Sequence, residues 1–185
     1  MKDEDKLRCT ELLSTLELEL IKRIPNAIES SKLTEQVYCM QIVYFGSDSE
    51  GDRVPYLQLP KVSARDEFIN EHGEKAPHYI WCPDEVEAPE QSFDIQLEDA
   101  PLRALCARLY NILDRYSVAP LRQMLVKLSR NLNELDWTHT SVVTEDFVVY
   151  PADYSHEIGY HELMRDSIPT QRLDLLRNKK MLLED

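Results

Sequence analysis

Leu12, Leu13, Leu16, Leu20, Ile21 and Ile24 recur at helical spacing with charged residues between them. The spacing predicts one amphipathic helix of about five turns, closed by Pro25. Residues 36–45 (QVYCMQIVYF) are rich in β-branched and aromatic side chains and predict a central strand. A polar loop over 46–52 and an alternating run over 54–59 then complete an antiparallel hairpin. Ser63, followed by Asp66 and Glu67, is placed to cap a short helix through Phe68 and Ile69 that Gly73 ends. Residues 77–89 carry three prolines and predict an irregular segment anchored by Tyr79, Ile80 and Trp81.

Beyond that segment the period returns to 3.6. Leu102, Leu105, Cys106, Leu109, Ile112, Leu113 and Tyr116 form one stripe behind Pro101, and Leu121, Met124, Leu125, Leu128 and Leu132 a second behind Pro120. Together they predict a helical hairpin. Residues 141–150 (SVVTEDFVVY) return to strand composition and stop at Pro151, and a last helix is expected over 169–183. No repeat, low-complexity tract or linker interrupts the pattern. The expected fold is α+β: one domain spanning 1–185, with a small, mainly antiparallel sheet from residues 36–45, 54–60 and 142–150 covered by amphipathic helices.

Composition agrees with this picture. A chain of 185 residues can bury about 70% of its unfolded surface in one core, so no staple is needed. Cys9, Cys39, Cys82 and Cys106 lie far apart without a Cys-x-x-Cys pair, which argues against a disulfide framework or zinc knuckle. No apolar run is long enough for a bilayer, and the opening Met1-Lys2-Asp3-Glu4-Asp5-Lys6 is too acidic for a signal peptide. A soluble, cytoplasmic protein without a membrane partner is expected.

Charge changes the picture most. Net charge is -13, yet residues 1–100 hold 22 acids against 10 bases while residues 101–185 hold 12 against 11. Within 84–99, Asp84, Glu85, Glu87, Glu90, Asp94, Glu98 and Asp99 stand with no base among them. Such a surface repels phosphate backbones, so nucleic acid is not expected as a direct partner. A charge run is ordinarily a solvated face. This one is interleaved with Val86, Pro89, Phe93, Ile95 and Leu97, the composition of an interface for a basic protein, with burial giving affinity and the field speeding encounter. Asp84, Glu85, Glu87, Glu90, Asp94 and Glu98 are the expected contacts and Phe93 the expected apolar anchor.

Candidate chemistry is thinner. Asp153, His156 and His161 could gather around a metal, but the histidines are five apart, one more than a shared helix face requires; a metal-dependent hydrolase centred on them is the alternative reading. His78 and Cys82 could pair as base and nucleophile, yet no third group orients the imidazole and no oxyanion-hole motif accompanies them. Gly46 and Gly51 lie in an acidic loop unsuited to phosphate, and Asp48, Glu50 and Asp52 lack the remaining ligands of a calcium loop. No catalytic residue and no cofactor are therefore expected. A third reading is a non-catalytic homodimeric scaffold with Trp81 and the helix pair at the subunit contact.

The order of the pieces also carries a resemblance. An opening helix leads to Val37-Tyr38-Cys39-Met40-Gln41-Ile42-Val43-Tyr44, a polar hairpin, Trp81-Cys82-Pro83-Asp84-Glu85, a helix pair, and Asp146-Phe147-Val148-Val149-Tyr150. This resembles bacterial domain-of-unknown-function family 4303, whose members look like immunity proteins encoded beside polymorphic toxins. The resemblance implies a stoichiometric inhibitor that occludes a cognate toxin domain, and it brings no catalytic residues. The acidity of the segment after Trp81 is a feature of this chain that the resemblance does not itself imply.

Overall fold

The computed structural model describes residues 1–46, 53–97, 99–137, 140, 142–155 and 157–182. Helix α1 (Asp3–Ser30) leads into β1 (Val37–Tyr44) and β2 (Tyr56–Pro60), followed by α2 (Val62–His72), the short α3 (Pro77–Ile80) and β3 (Ser92–Gln96). Two long helices, α4 (Ala100–Leu113) and α5 (Ala119–Asn133), precede β4 (Val143–Asp153), α6 (Tyr160–Ser167) and α7 (Thr170–Asn178). The strands form one sheet in the order β3-β2-β1-β4, antiparallel except for the parallel β1/β4 pair. The fold is therefore the expected α+β arrangement, with a mixed sheet. Among the described residues, no helix is long and apolar enough to cross a membrane.

All eight residues of β1 are buried, because helices cover both faces of the sheet and leave no polar side for alternation to mark. One face packs Met40, Ile42, Leu57, Leu59, Phe147 and Val149 against α1, α4 and α5. The opposite face packs Tyr38, Val148 and Tyr150 against Phe68, Trp81, Met164 and Leu176 from the smaller helices. Trp81 is fully buried and its indole N–H donates to the Met181 carbonyl. Its side chain is thus enclosed by the chain's own core.

Several boundaries differ from the sequence expectation for physical reasons. Pro25 lies inside α1, which continues to Ser30. Ile24 and Ile28, both buried, carry the apolar stripe past the proline, and their burial, roughly 1.5–3 kcal/mol for each side chain, offsets an interior proline penalty of about 3 kcal/mol. Ser63 does not cap α2: the Glu35 carboxylate accepts from the Ser63 N–H at 2.7 Å, a remote side chain satisfying an orphan donor. Gly73 does end α2, at φ 54°. The last helix stops at Asn178, where Lys180 turns to positive φ and the Met181 N–H reaches back to the Leu176 carbonyl. α6 spans Tyr160–Ser167, where the hydrophobic pattern predicts no element.

Pro151 does not end β4 either. The Tyr154 N–H donates to the Tyr44 carbonyl, so by alternation Ala152, Tyr150 and Val148 aim their backbone groups at β1, while Pro151, Val149 and Phe147 aim theirs outward. On that free edge the missing N–H of proline costs no ladder bond. The same edge is closed by side chains. Asn133 donates to the Val149 carbonyl at 2.7 Å and accepts from the Val149 N–H at 2.9 Å, and Arg172 donates to the Phe147 carbonyl.

Candidate partner-binding surface

The acidic segment is pinned to the sheet by its own carbonyls. Tyr38 donates to the Ile80 carbonyl, Tyr150 to that of Trp81 at 2.7 Å, and the Gln58 amide lies 3.4 Å from those of Pro83 and Val86. Val86 is fully buried. With the main chain held inward at these points, Asp84, Glu85, Glu87 and Glu90 are left exposed. The chain then turns through Ala88, whose carbonyl accepts from Gln91 and Ser92 N–H groups, and enters β3.

β3 is a strand that the sequence pattern does not predict. Its alternation is present in Ser92-Phe93-Asp94-Ile95-Gln96-Leu97, but five residues within an acidic run also fit a solvated loop. As a strand it separates two residues that were expected to act together. Asp94 is exposed beside Gln58 on one sheet face, whereas Phe93 is half-buried against the main core on the other. The Lys61 ammonium covers the Phe93 ring at 4.4 Å and donates to the Pro89 and Glu90 carbonyls. Phe93 is thus packed away from the carboxylates it was expected to accompany.

The aromatic groups beside those carboxylates come from elsewhere. The Tyr56 phenol is pushed up to about 12 by burial and then by the negative field of Asp94, Tyr154, Glu87 and Asp84. Phe45 lies between Tyr56 and Tyr154, with ring centroids 6.2 and 5.3 Å away, and Tyr154 is 50% exposed. These three residues are separated in sequence, and no motif announces that they meet.

Asp94 is itself raised above the ordinary carboxylate value, first by burial and then by Glu87. Glu85 takes the other direction: with Cys82 it adds to the burial that lifts Tyr160 to about 12. Among the described residues, no ion pair engages Glu85, Glu87, Glu90 or Asp94. Asp99 behaves differently. Its carboxylate caps α4 by accepting from the Leu102 N–H at 2.9 Å and pairs with Arg23 at 2.8 Å, which sets it apart from those four. Glu98 lies outside the described residues.

The remaining candidate chemistry is dispersed. Asp153 is buried at the end of β4, where Ser155 donates to it through N–H and hydroxyl at 3.0 and 2.7 Å, and Arg122 faces it at 4.0 Å. His161 sits on α6 against Tyr160 and His78, with ring centroids 4.0 and 6.4 Å away. Burial, then His78 and Arg165, holds its imidazole below the ordinary value. His156 lies outside the described residues, among which no three His, Cys, Asp or Glu side chains group to hold a metal ion. Burial raises the Cys82 thiol, which opposes the thiolate that a nucleophile needs.

A groove of about 270 Å³ between α5 and α6 is lined by Arg122, Lys127, Arg130, Glu162 and Asp166. Its cations are already engaged: Arg122 by Tyr44 and Glu157, Lys127 by Glu17, and Arg130 by the Asp166 carbonyl. No family model, curated protein or solved structure matches the chain.

Proposed function

We propose that this protein is an acidic, immunity-type binding protein that neutralises a basic partner, a toxin or nuclease domain, by occluding it. One observation carries the reading. Asp84, Glu85, Glu87, Glu90 and Asp94 are all exposed along one stretch of chain, and among the described residues no ion pair neutralises the last four. Like charges held together destabilise the isolated fold, and a cationic surface docked against them relieves that repulsion as it binds. The half-exposed Tyr154 ring beside Phe45 and Tyr56 offers the apolar contact, a role aromatic side chains fill at interface centres. For a nuclease, the carboxylates would occupy the surface that otherwise holds phosphates.

The test uses a basic toxin or nuclease domain encoded by a neighbouring reading frame. Stopped-flow association is compared for the wild type and the triple variant Glu85→Lys, Glu87→Lys, Asp94→Lys. The variant should associate about 10–100-fold more slowly at low salt, with the difference fading as salt screens it. Equal rate constants at low salt would remove this surface from the interface.

A further inference from the structure

The two free edges of the sheet are treated differently. On β4, Asn133 and Arg172 occupy the outward groups of Val149 and Phe147. On β3 the outward groups follow from the register. The Lys61 N–H donates to the Gln91 carbonyl at 2.8 Å, so Lys61/Gln91 is a hydrogen-bonded pair. Antiparallel alternation puts Leu59/Phe93 and Leu57/Ile95 in the same class. Pro60, which has no N–H, falls opposite Ser92 in the other class. The N–H and C=O groups of Asp94 and Gln96 therefore point away from β2, and among the described residues no turn, loop or cap backbone hydrogen bond reaches them.

We propose that the β3 edge receives an extended segment of the basic partner as a fifth strand, with Asp94 and Gln96 supplying the backbone bonds. The inference rests on the partner reading above and names how that partner docks. Charge selects the occupant. A second copy would bring its own Asp94 and Glu87 against this edge, and like charges facing each other across strands are destabilising.

The two sheet faces specify the incoming side chains. Those on the Asp94 face meet a carboxylate backed by Glu87 and call for Lys or Arg. Those on the opposite face meet half-buried Phe93 and Ile95 beside Lys61 and call for apolar groups. The segment should thus alternate basic and apolar residues, recognised by main-chain pairing together with side-chain alternation.

The probe is a synthetic Lys-Val alternating peptide of about eight residues, compared with an analogue of identical charge that is N-methylated at every second amide. We expect the unmodified peptide to bind at least about tenfold more tightly and to slow hydrogen exchange at the Asp94 and Gln96 amides. Gln96→Pro removes one outward donor at a position where an edge strand tolerates proline, keeps every carboxylate, and should give a similar loss. Equal, salt-sensitive binding of both peptides without exchange protection would overturn strand addition and leave the acidic-surface reading standing. Absence of binding by either peptide at low salt would overturn both. A wild-type dimer in sedimentation that Gln96→Pro dissolves would assign the edge to a second copy and refute the proposed occupant.

Discussion

Replacing Asn133 by alanine tests whether one buried amide closes the β4 edge. Its side chain donates to the Val149 and Ser167 carbonyls at 2.7 and 3.1 Å and accepts from the Val149 N–H at 2.9 Å, and the residue is 2% exposed. Truncation strands three backbone groups in a site without bulk water. A buried group left unsatisfied costs roughly 1–3 kcal/mol; the N–H bears this in full and the two carbonyls less, so the total should be about 3–4 kcal/mol. For a chain of this size that corresponds to a melting-temperature drop of roughly 6–16 °C. Urea unfolding followed by circular dichroism should show a lower midpoint with an unchanged slope, and the Val149 amide should lose exchange protection. Asn133→Asp keeps the shape but sets a carboxylate oxygen against two carbonyls. Only its protonated form can donate, so its deficit should shrink as pH falls. A loss below about 1 kcal/mol for Asn133→Ala would refute the argument that this amide seals the edge.

Two further predictions concern charge. Burial alone would push the Asp146 carboxyl up, but the Lys179 ammonium at 2.9 Å and Arg65 at 3.5 Å outweigh it and hold the group below its ordinary 3.8. A depressed folded-state value contributes stability above the unfolded value that is lost as pH falls through the folded one. Asp146→Asn should therefore cost about 1–2 kcal/mol near neutrality, with the gap to wild type closing in acid; a pH-independent gap in chemical denaturation would contradict the ion-pair account. In Glu87→Gln, the Asp94 carboxyl, followed by NMR titration, should move down toward its ordinary value without reaching it, because burial is the larger cause of its rise. An unmoved midpoint would place the two carboxylates on separate surfaces.

Much of the fold was legible because its elements announce themselves by period. The stripes of α1, α4 and α5 and the apolar run of β1 can bury enough surface in only one way each. The β1/β2 hairpin follows from two strand-like runs joined by a short polar loop. Pro25 and Pro151 misled for one shared reason: a proline's local penalty depends on what its neighbours gain and on which way its missing N–H would have pointed. The candidate surface was half legible. Its carboxylates stand in a row, but strand alternation in β3 turns Phe93 to the opposite side from Asp94, and Lys61 covers it.

What the amino-acid order determined by itself is the inventory: helices from 3.6-residue stripes, strands from β-branched runs, and an acidic segment without bases. These are short-range properties, set by propensity and by the periodicity of burial. Only the tertiary structure decided that β4 returns parallel to β1, that Tyr56, Phe45 and Tyr154 meet beside Asp94 and Glu87, and that one sheet edge is closed by Asn133 while the other is left open. Those outcomes depend on contacts between residues far apart along the chain, and no local pattern encodes which distant side chain will occupy a given backbone group.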